Sequence, residues 1–414
     1  MEKHRTHFDV IVIGGGASGL MAAGIAAERG KRVLILERNE ELGKKLKITG
    51  GGRCNITQAE FDIRKMLAHY KHAEKFLYSP FSQFGVQDTF DFFESKKLPI
   101  VVQARKRAFP KTERAMDVYL VMERFIRKHK VAVIKNTIIK KVKVKDKKIV
   151  SVQSPNTEFT ADSYIIATGG VSRPETGSTG DGFRWLEKMG HSVHKPTPDI
   201  VPLEVKDEWV KELAGTSLSF MNISFYADGK KQFSKLGKVL FTHFGLSGPL
   251  ILNSSKQVKD MLEWGEVTAT IDAYPDTEFP ALEKKVMKVF EEYKNKDFKN
   301  IYKLIAPEGL ADATVGELGF DTDTKVHSIS KEDRKKVVHF LKAMPIKIKG
   351  LMGFDRAVVA DGGVSLTEVD TKTMKSKVIE NLYLTGDILH INRPTGGQSL
   401  QLCWTTGYVA GKNA

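Results

Sequence analysis

The run Gly14-Gly15-Gly16-Ala17-Ser18-Gly19 sets three glycines at the spacing that lets a backbone hold a diphosphate. Gly14 permits a tight turn. Gly16 has no side chain, so a pyrophosphate can approach the backbone. Gly19, with Ala23, lets the following helix pack closely on the preceding strand. Ala17 and Ser18 open that helix, whose N-terminus turns unpaired N–H groups and a partial positive charge toward the phosphates. Glu37 lies just beyond and can accept hydrogen bonds from both hydroxyls of an adenosine ribose. A carboxylate there repels a ribose 2′-phosphate, which favours FAD or NAD over NADP, although Arg38 is next door. Other side chains can hold or move charge. His243 and His390 are candidate general acid–base groups, His390 the better placed because it follows a Gly-Asp turn. Arg53 is a candidate for gripping an anionic substrate or a flavin phosphate; the alternative is a salt bridge within its loop. Arg393, before Pro394, is a further cation that can point at the site. Cys54 has no second cysteine near it in sequence, so a local CxxC exchange is excluded and a packed thiol is expected.

These residues need a scaffold, and the pattern supplies one. Residues 10–13 form an apolar strand, a small-residue helix follows, and residues 33–36 form a second strand ending at Glu37. Residues 60–98 read as helices with a phenylalanine-rich core, and residues 115–129 have helical period. Strands follow at 131–135, 137–144 and 148–153. Another, 162–168, ends at Thr168 and runs into Gly169-Gly170. After Gly190, prolines 196, 198 and 202 break the texture. Residues 216–226 alternate as a half-buried strand, and helices dominate 278–308 and 331–343. The expected organisation is a discontinuous first domain, 1–190 and 345–414, interrupted by an inserted β-plus-α domain, 191–344. Near the end, a strand at 382–385 runs into Gly386-Asp387. A Gly-rich turn after a strand thus occurs at Gly14, Gly169 and Gly386. All three suit the carboxyl edge of one α/β sheet, where such folds bind ligands. Asp387 would accept from a ribityl hydroxyl; NAD has no ribityl chain, so the third turn points to FAD.

Composition narrows the class. The chain has 414 residues, 65 basic against 50 acidic, for a formal charge of +15. The basic residues are dispersed and interleaved with acids, so a lysine-rich solvated surface is expected rather than a nucleic-acid arm. Two cysteines, Cys54 and Cys403, cannot build a disulfide framework and suit a reducing, cytoplasmic setting. The N-terminal MEKHRTHFD lacks a leader's apolar core, and the uncharged stretch 10–27, interrupted by three glycines, suits a buried strand and helix better than a membrane span. No paired metal-ligand spacing is present, so no metal is expected. No second GxGxxG exists, since the glycines at 177–182 have the wrong offsets. NAD(P)H, as co-substrate, must therefore dock at the open flavin face; dioxygen is the other electron partner to consider.

LGKKLKITGGGRCNIT (42–57) resembles the signature of the HI0933-like family of NAD(P)/FAD-dependent flavoprotein oxidoreductases. THFGLSGP (242–249), ADGGVSLTEVDTKTMKSK (360–377) and NLYLTGDILHINRPTGGQSLQ (381–401) are similar to other motifs of that family. The resemblance implies a glutathione-reductase-like, two-dinucleotide-binding-domain FAD fold with an inserted mixed β-barrel and helical domain. It implies non-covalent FAD and places Gly14, Gly16 and Gly19 on the pyrophosphate, with Glu37 on the ribose. Val133 would meet adenine through its backbone. Lys45, Gly51, Gly52, Arg53, Cys54 and Asn55 would lie toward the flavin, with Thr168, Gly169 and Gly170 covering the middle. Gly386 and Asp387 would take the ribityl end; Gly396, Gly397, Gln398 and Ser399 would face the pyrimidine edge. The sequence departs from the family there: many members have an acid at the position of His390, and Gly-Gly-Tyr-Asn where Gly396-Gly397-Gln398-Ser399 stands. The expected activity is hydride transfer between a small organic substrate and flavin N5. The rivals are an amine or ketone oxidase releasing peroxide, and a nucleic-acid-associated flavoprotein.

Overall fold

The computed structural model describes residues 6–394 and 396–414. Residues 1–5, on which part of the leader reading rests, and Thr395 lie outside the described residues. The chain divides into two compact units: residues 1–198 with 357–414, and residues 199–356.

The first unit is built on a sheet of seven strands. They are β1 (Thr6–Ile13), β2 (Val33–Leu36), β3 (Ala132–Ile134), β4 (Lys141–Lys145), β5 (Lys148–Gln153), β6 (Glu158–Ile166) and, from the end of the chain, Leu382–Leu384. The order is β3-β2-β1-β6-β5-β4, with Leu382–Leu384 also paired to β6. Every pair from β3 to β6 is parallel, as is the pair with Leu382–Leu384. Val10, Ile11, Val12, Leu34, Ile35, Ile165 and Ile166 are fully buried, as strands covered on both faces must be.

Register decides what the edge carries. Ile13 stands opposite both Leu36 and Ile166, and Ile166 stands opposite Leu384. Gly14, Glu37, Ala167 and Thr385 therefore leave the sheet side by side, at its carboxyl edge. Helix α1 (Ala17–Glu28) is buried from Ser18 to Ala27, the pattern of a helix apolar all round. Helix α2 (Ala115–Lys128) presses the Phe125 ring onto Gly24. The final helix, α3 (Gln398–Asn413), crosses α1 at backbone contact: a Cβ at Gly407 would lie 2.5 Å from the Ser18 carbonyl oxygen.

Residues Val193–Asp199 and Val359–Val364 form a two-stranded ribbon of the first unit. The second unit begins at the ribbon's last outgoing residue, Asp199, and ends at Arg356, before its return strand. Its centre is a closed barrel in the order Leu203–Val205, Gly245–Ser247, Lys230–Thr242, Ser217–Ala227, Val267–Asp272, Met344–Leu351. Its neighbouring strands are antiparallel, and Ile223, Phe225, Phe241, Leu246, Ile271 and Ile346 fill the interior. Helices Phe279–Glu292, Phe298–Ile305 and Lys331–Lys342 share a separate apolar core. This is the barrel-plus-helix insertion expected, with boundaries at 199–356 rather than 191–344. The difference has two causes. Val193–Asp199 pairs within the first unit, and Met344–Leu351 closes the barrel.

Candidate functional site

The site begins at the first turn. Gly14 has φ +109°, and a Cβ there would lie 2.4 Å from the Ala167 carbonyl oxygen. Gly19 is tighter still, 1.9 Å from the Gly14 carbonyl oxygen. Gly16 differs: nothing lies within 4 Å of the position its Cβ would take. Two glycines thus close the strand–helix corner, and the middle one leaves backbone open above it. Gly16 is also the N-cap of α1, which has neither a side-chain cap nor an acid in its first turn. Its orphan N–H groups and dipole face that opening.

Glu37 is buried at the end of β2. One carboxylate oxygen accepts from the Gly15 N–H at 2.6 Å and the other from the Asn39 N–H at 2.8 Å. These bonds fix its orientation and leave further lone pairs for ribose hydroxyls. Val133 lies next in the sheet, opposite Ile35. Arg38 is not a free cation; it pairs with Asp181 at 2.6 Å and with the Thr179 hydroxyl.

The other two turns meet the first. Gly169 has φ +71° and lies against Ser178, while Gly170 lies against the Asp387 backbone. Gly386 lies against Ser18 in the first turn of α1, and its N–H donates to Thr406 of α3 at 3.0 Å. The Thr385 hydroxyl donates to Ser18 at 3.2 Å. The third turn therefore meets the first at Ser18, and the second meets the third where Gly170 lies against Asp387.

Segment 42–57 joins this group through Gly43, whose N–H donates to the Gly15 carbonyl at 2.9 Å. Lys45 donates to the Ser172 carbonyl at 2.7 Å and to the Ser178 hydroxyl at 2.9 Å. Burial of its amine pushes its pKa down, against the pull of Asp387. Gly51 and Gly52 are exposed, with φ +66° and +86°. Asn55 accepts from the Ala108 N–H at 3.1 Å and so anchors the loop. Arg53 pairs with Glu113 at 2.7 Å, donates to Gln103 at 2.9 Å and covers the Phe109 ring. Its ion pair reaches outside its own loop, to Glu113, and both side chains stay partly exposed. Cys54 is buried, and burial pushes its thiol up to about 12, so no thiolate is available near neutral pH.

At the start of α3, Gly396 is exposed, and Gly397 is buried against the Thr57–Gln58 backbone. That contact leaves no room for a side chain at 397. Gln398 is 3% exposed, and its side-chain oxygen has no hydrogen-bond partner among the described residues. Ser399 accepts from Arg393 at 2.9 Å. Arg393, 3% exposed, also pairs with Asp387. Burial works to raise the Asp387 pKa, but the charges of Arg393 and Lys45 outweigh it and hold the carboxyl below its ordinary range.

The two histidine candidates separate. His243 is exposed in the second unit, on the turn between two barrel strands. His390 is half-buried beside Asp361, Nε2 to carboxylate 3.2 Å. Its ring centroid lies 4.3 Å from that of His194 and 4.8 Å from that of His72. Burial, then the neighbouring imidazoles, pushes its pKa down. Sequence reasoning missed His72, His194 and Asp361; they are far from His390 in sequence, and no motif marks them. Among the described residues no group of side chains could hold a metal ion, and no helix is long and apolar enough to cross a membrane.

The residues at the sheet edge fit FAD on two observations. The backbone at Gly16 is open, and the Gln398 side-chain amide oxygen is a buried acceptor without a donor among the described residues. Fold and site together define an FAD-dependent oxidoreductase of Rossmann type. The chain belongs to the family described as HI0933-like protein Rossmann domain, whose model matches residues 8–413. It is 29% identical over 408 residues to a 3-dehydro-bile acid delta(4,6)-reductase of Clostridium scindens, covering 97% of this chain and 98% of that protein. It is 27% identical over 406 residues to a ribosomal RNA dihydrouridine synthase of Haemophilus influenzae, covering 96% of each. A solved 3-ketosteroid-delta4-(5alpha)-dehydrogenase from Rhodococcus jostii shares the fold with a TM-score of 0.54 at 13% identity, covering 100% of this chain and 97% of that one.

Proposed function

We propose that this protein uses non-covalent FAD to reduce a carbon–carbon double bond conjugated to a carbonyl, with NAD(P)H as the electron donor. The FAD cradle with open backbone at Gly16 carries the flavin part of the reading. The substrate class rests on what two relatives' names share. One reduces ring double bonds of a keto bile acid; the other makes dihydrouridine, which is uridine with its ring double bond hydrogenated. Both names describe two hydrogens added across a double bond beside a carbonyl.

When bound, FAD supplies the hydride at N5. The chain's residues do the rest. The amides at Gly16–Ser18 hold the diphosphate, Glu37 the adenosine ribose and the Val133 backbone the adenine. Asp387, Lys45 and the start of α3 hold the flavin end, where N–H groups favour negative charge. His390, oriented by Asp361, is our candidate for delivering the proton to the carbon next to the carbonyl. We place the enzyme in the cytoplasm, where both of its free cysteines stay reduced.

A second reading keeps the chemistry and changes the substrate to a uracil base in RNA. The charge of +15 and the dihydrouridine-forming relative favour it. One experiment addresses both. The holoenzyme is reduced anaerobically with NADH or NADPH while the flavin's visible absorbance is followed. Cyclohexenone, a 4,6-dien-3-one steroid or unmodified ribosomal RNA is then added. Reoxidation with stoichiometric hydrogenated product supports the proposal, and the acceptor that works selects the reading. Rapid reoxidation by dioxygen alone, with peroxide and no hydrogenated product, contradicts it and supports an oxidase.

A further inference from the structure

Arg393 makes three contacts that join two elements otherwise separate in the chain. Its Nη2 pairs with Asp387 on the third glycine turn. Its Nε donates to the Ser399 hydroxyl, 2.9 Å away, in the first turn of α3. Its Nη1 donates to the Ile391 carbonyl at 2.8 Å. The neighbouring Tyr70 hydroxyl adds a bond to the Gln398 carbonyl at 2.8 Å, so the same turn of α3 is held from a second side. The guanidinium is planar, so these three bonds fix angle as well as distance. A buried ion pair of this kind is weak evidence for stability, because desolvation offsets its attraction. Its worth lies in geometry.

Charge gives it a second consequence. Arg393, 3% exposed, pairs directly with Asp387, and the amine of Lys45, whose pKa burial pushes down, acts on the same carboxylate. The positive charge of Arg393 spans from the turn that carries Asp387 to Ser399 in the first turn of α3. Reduced flavin bears more negative charge than oxidised flavin.

We infer that Arg393 is a positioning residue for the flavin: it locks Asp387 and the first turn of α3 at one spacing and stabilises the reduced flavin held between them. The inference rests on the FAD reading and goes beyond it, since it assigns a redox role to a side chain outside the glycine turns. Lysine at 393 keeps the charge and loses the fork. Alanine at 399 cuts one arm and keeps the charge.

The test measures FAD affinity of the apoprotein and the midpoint potential of the holoprotein for wild type, R393Q, R393K and S399A. R393Q is expected to weaken FAD by about tenfold or more, the scale of a lost charge-assisted bond. It is also expected to lower the potential by about 30 mV, the equivalent of tenfold weaker binding of reduced relative to oxidised flavin for a two-electron couple. R393K should restore the potential and only part of the affinity. S399A should weaken FAD by a few-fold and leave the potential unchanged. If R393Q does not fold, R393K and S399A decide: wild-type affinity in both overturns the inference, and weakened affinity with an unchanged potential supports it. If wild type binds FAD and R393Q matches it in affinity and potential, only this inference falls. If wild type binds no FAD, the reading beneath it falls first.

Discussion

Single residues carry separable jobs at this site, and the three glycines separate most cleanly. At Gly16 a methyl group meets no protein atom, so Gly16→Ala should cost less than about 1 kcal/mol of stability, the scale of changing an N-cap residue. The methyl would stand where a diphosphate approaches, so FAD binding should be lost. Thermal melts and FAD titration on the same variant check both halves; a folded variant with undiminished affinity contradicts the assignment. The thiols give a second expectation. Burial pushes Cys54 and Cys403 up to about 12, so both should resist alkylation in the native protein and react only on unfolding. Fast labelling of the folded chain would sink that account. The histidines set a pH dependence. Burial lowers the pKa of His390 and His191 from the ordinary 6.5, so the folded state favours their neutral forms. The unfolded chain then binds more protons, and stability falls as pH drops below about 6.5. Melts between pH ~7.5 and ~5.5 check the sign, and H390Q should flatten the slope. Little of this was visible in the chain. Arg53 reads as an anion grip or a salt bridge within its loop; its partner, Glu113, is 60 residues on. His390 reads as a lone histidine until the fold brings His72, His194 and Asp361 to it.

Elements explain why so much else was legible. The βαβ unit announces itself because its strand, turn, helix and acid are contiguous, and each local preference agrees with the fold. The three glycine turns follow strands, and parallel pairing puts strand ends with like ends. One strand was misassigned although its signal was present. In Met344–Leu351 the buried Ile346 and Ile348 alternate with exposed Lys347 and Lys349, the period of a barrel wall. The strand lies between the helix Lys331–Lys342 and the return to the first unit at 357, and sequence distance hid its partners, Leu203–Val205 and Val267–Asp272. The α1 corner gives the prediction at this scale. Gly19→Ala places a Cβ 1.9 Å from the Gly14 carbonyl oxygen, so helix and strand must separate. The expected loss is about 1–3 kcal/mol in denaturant unfolding, with weakened FAD binding as its consequence. Unchanged stability would show that the corner is looser than these contacts require.

Across the whole molecule, one unit holds the cofactor cradle, and the other interrupts it through a single ribbon. Ser365 N–H donates to the Ser192 carbonyl at 2.9 Å, and Gly362 lies against Pro196, so the ribbon's two strands run in opposite senses. The insertion leaves and returns at neighbouring points, which is how a domain can be accommodated without disturbing the sheet. Two relatives are named for different substrates, a keto bile acid and ribosomal RNA, so this fold does not by itself fix the substrate. The account stands or falls on the cradle. The direct measurement is a calorimetric titration of apoprotein with FAD, followed by a visible spectrum of the product. One FAD per chain with submicromolar affinity and a flavin spectrum perturbed from that of free FAD is the predicted result. No heat, no yellow protein and no competition from added ADP would contradict it.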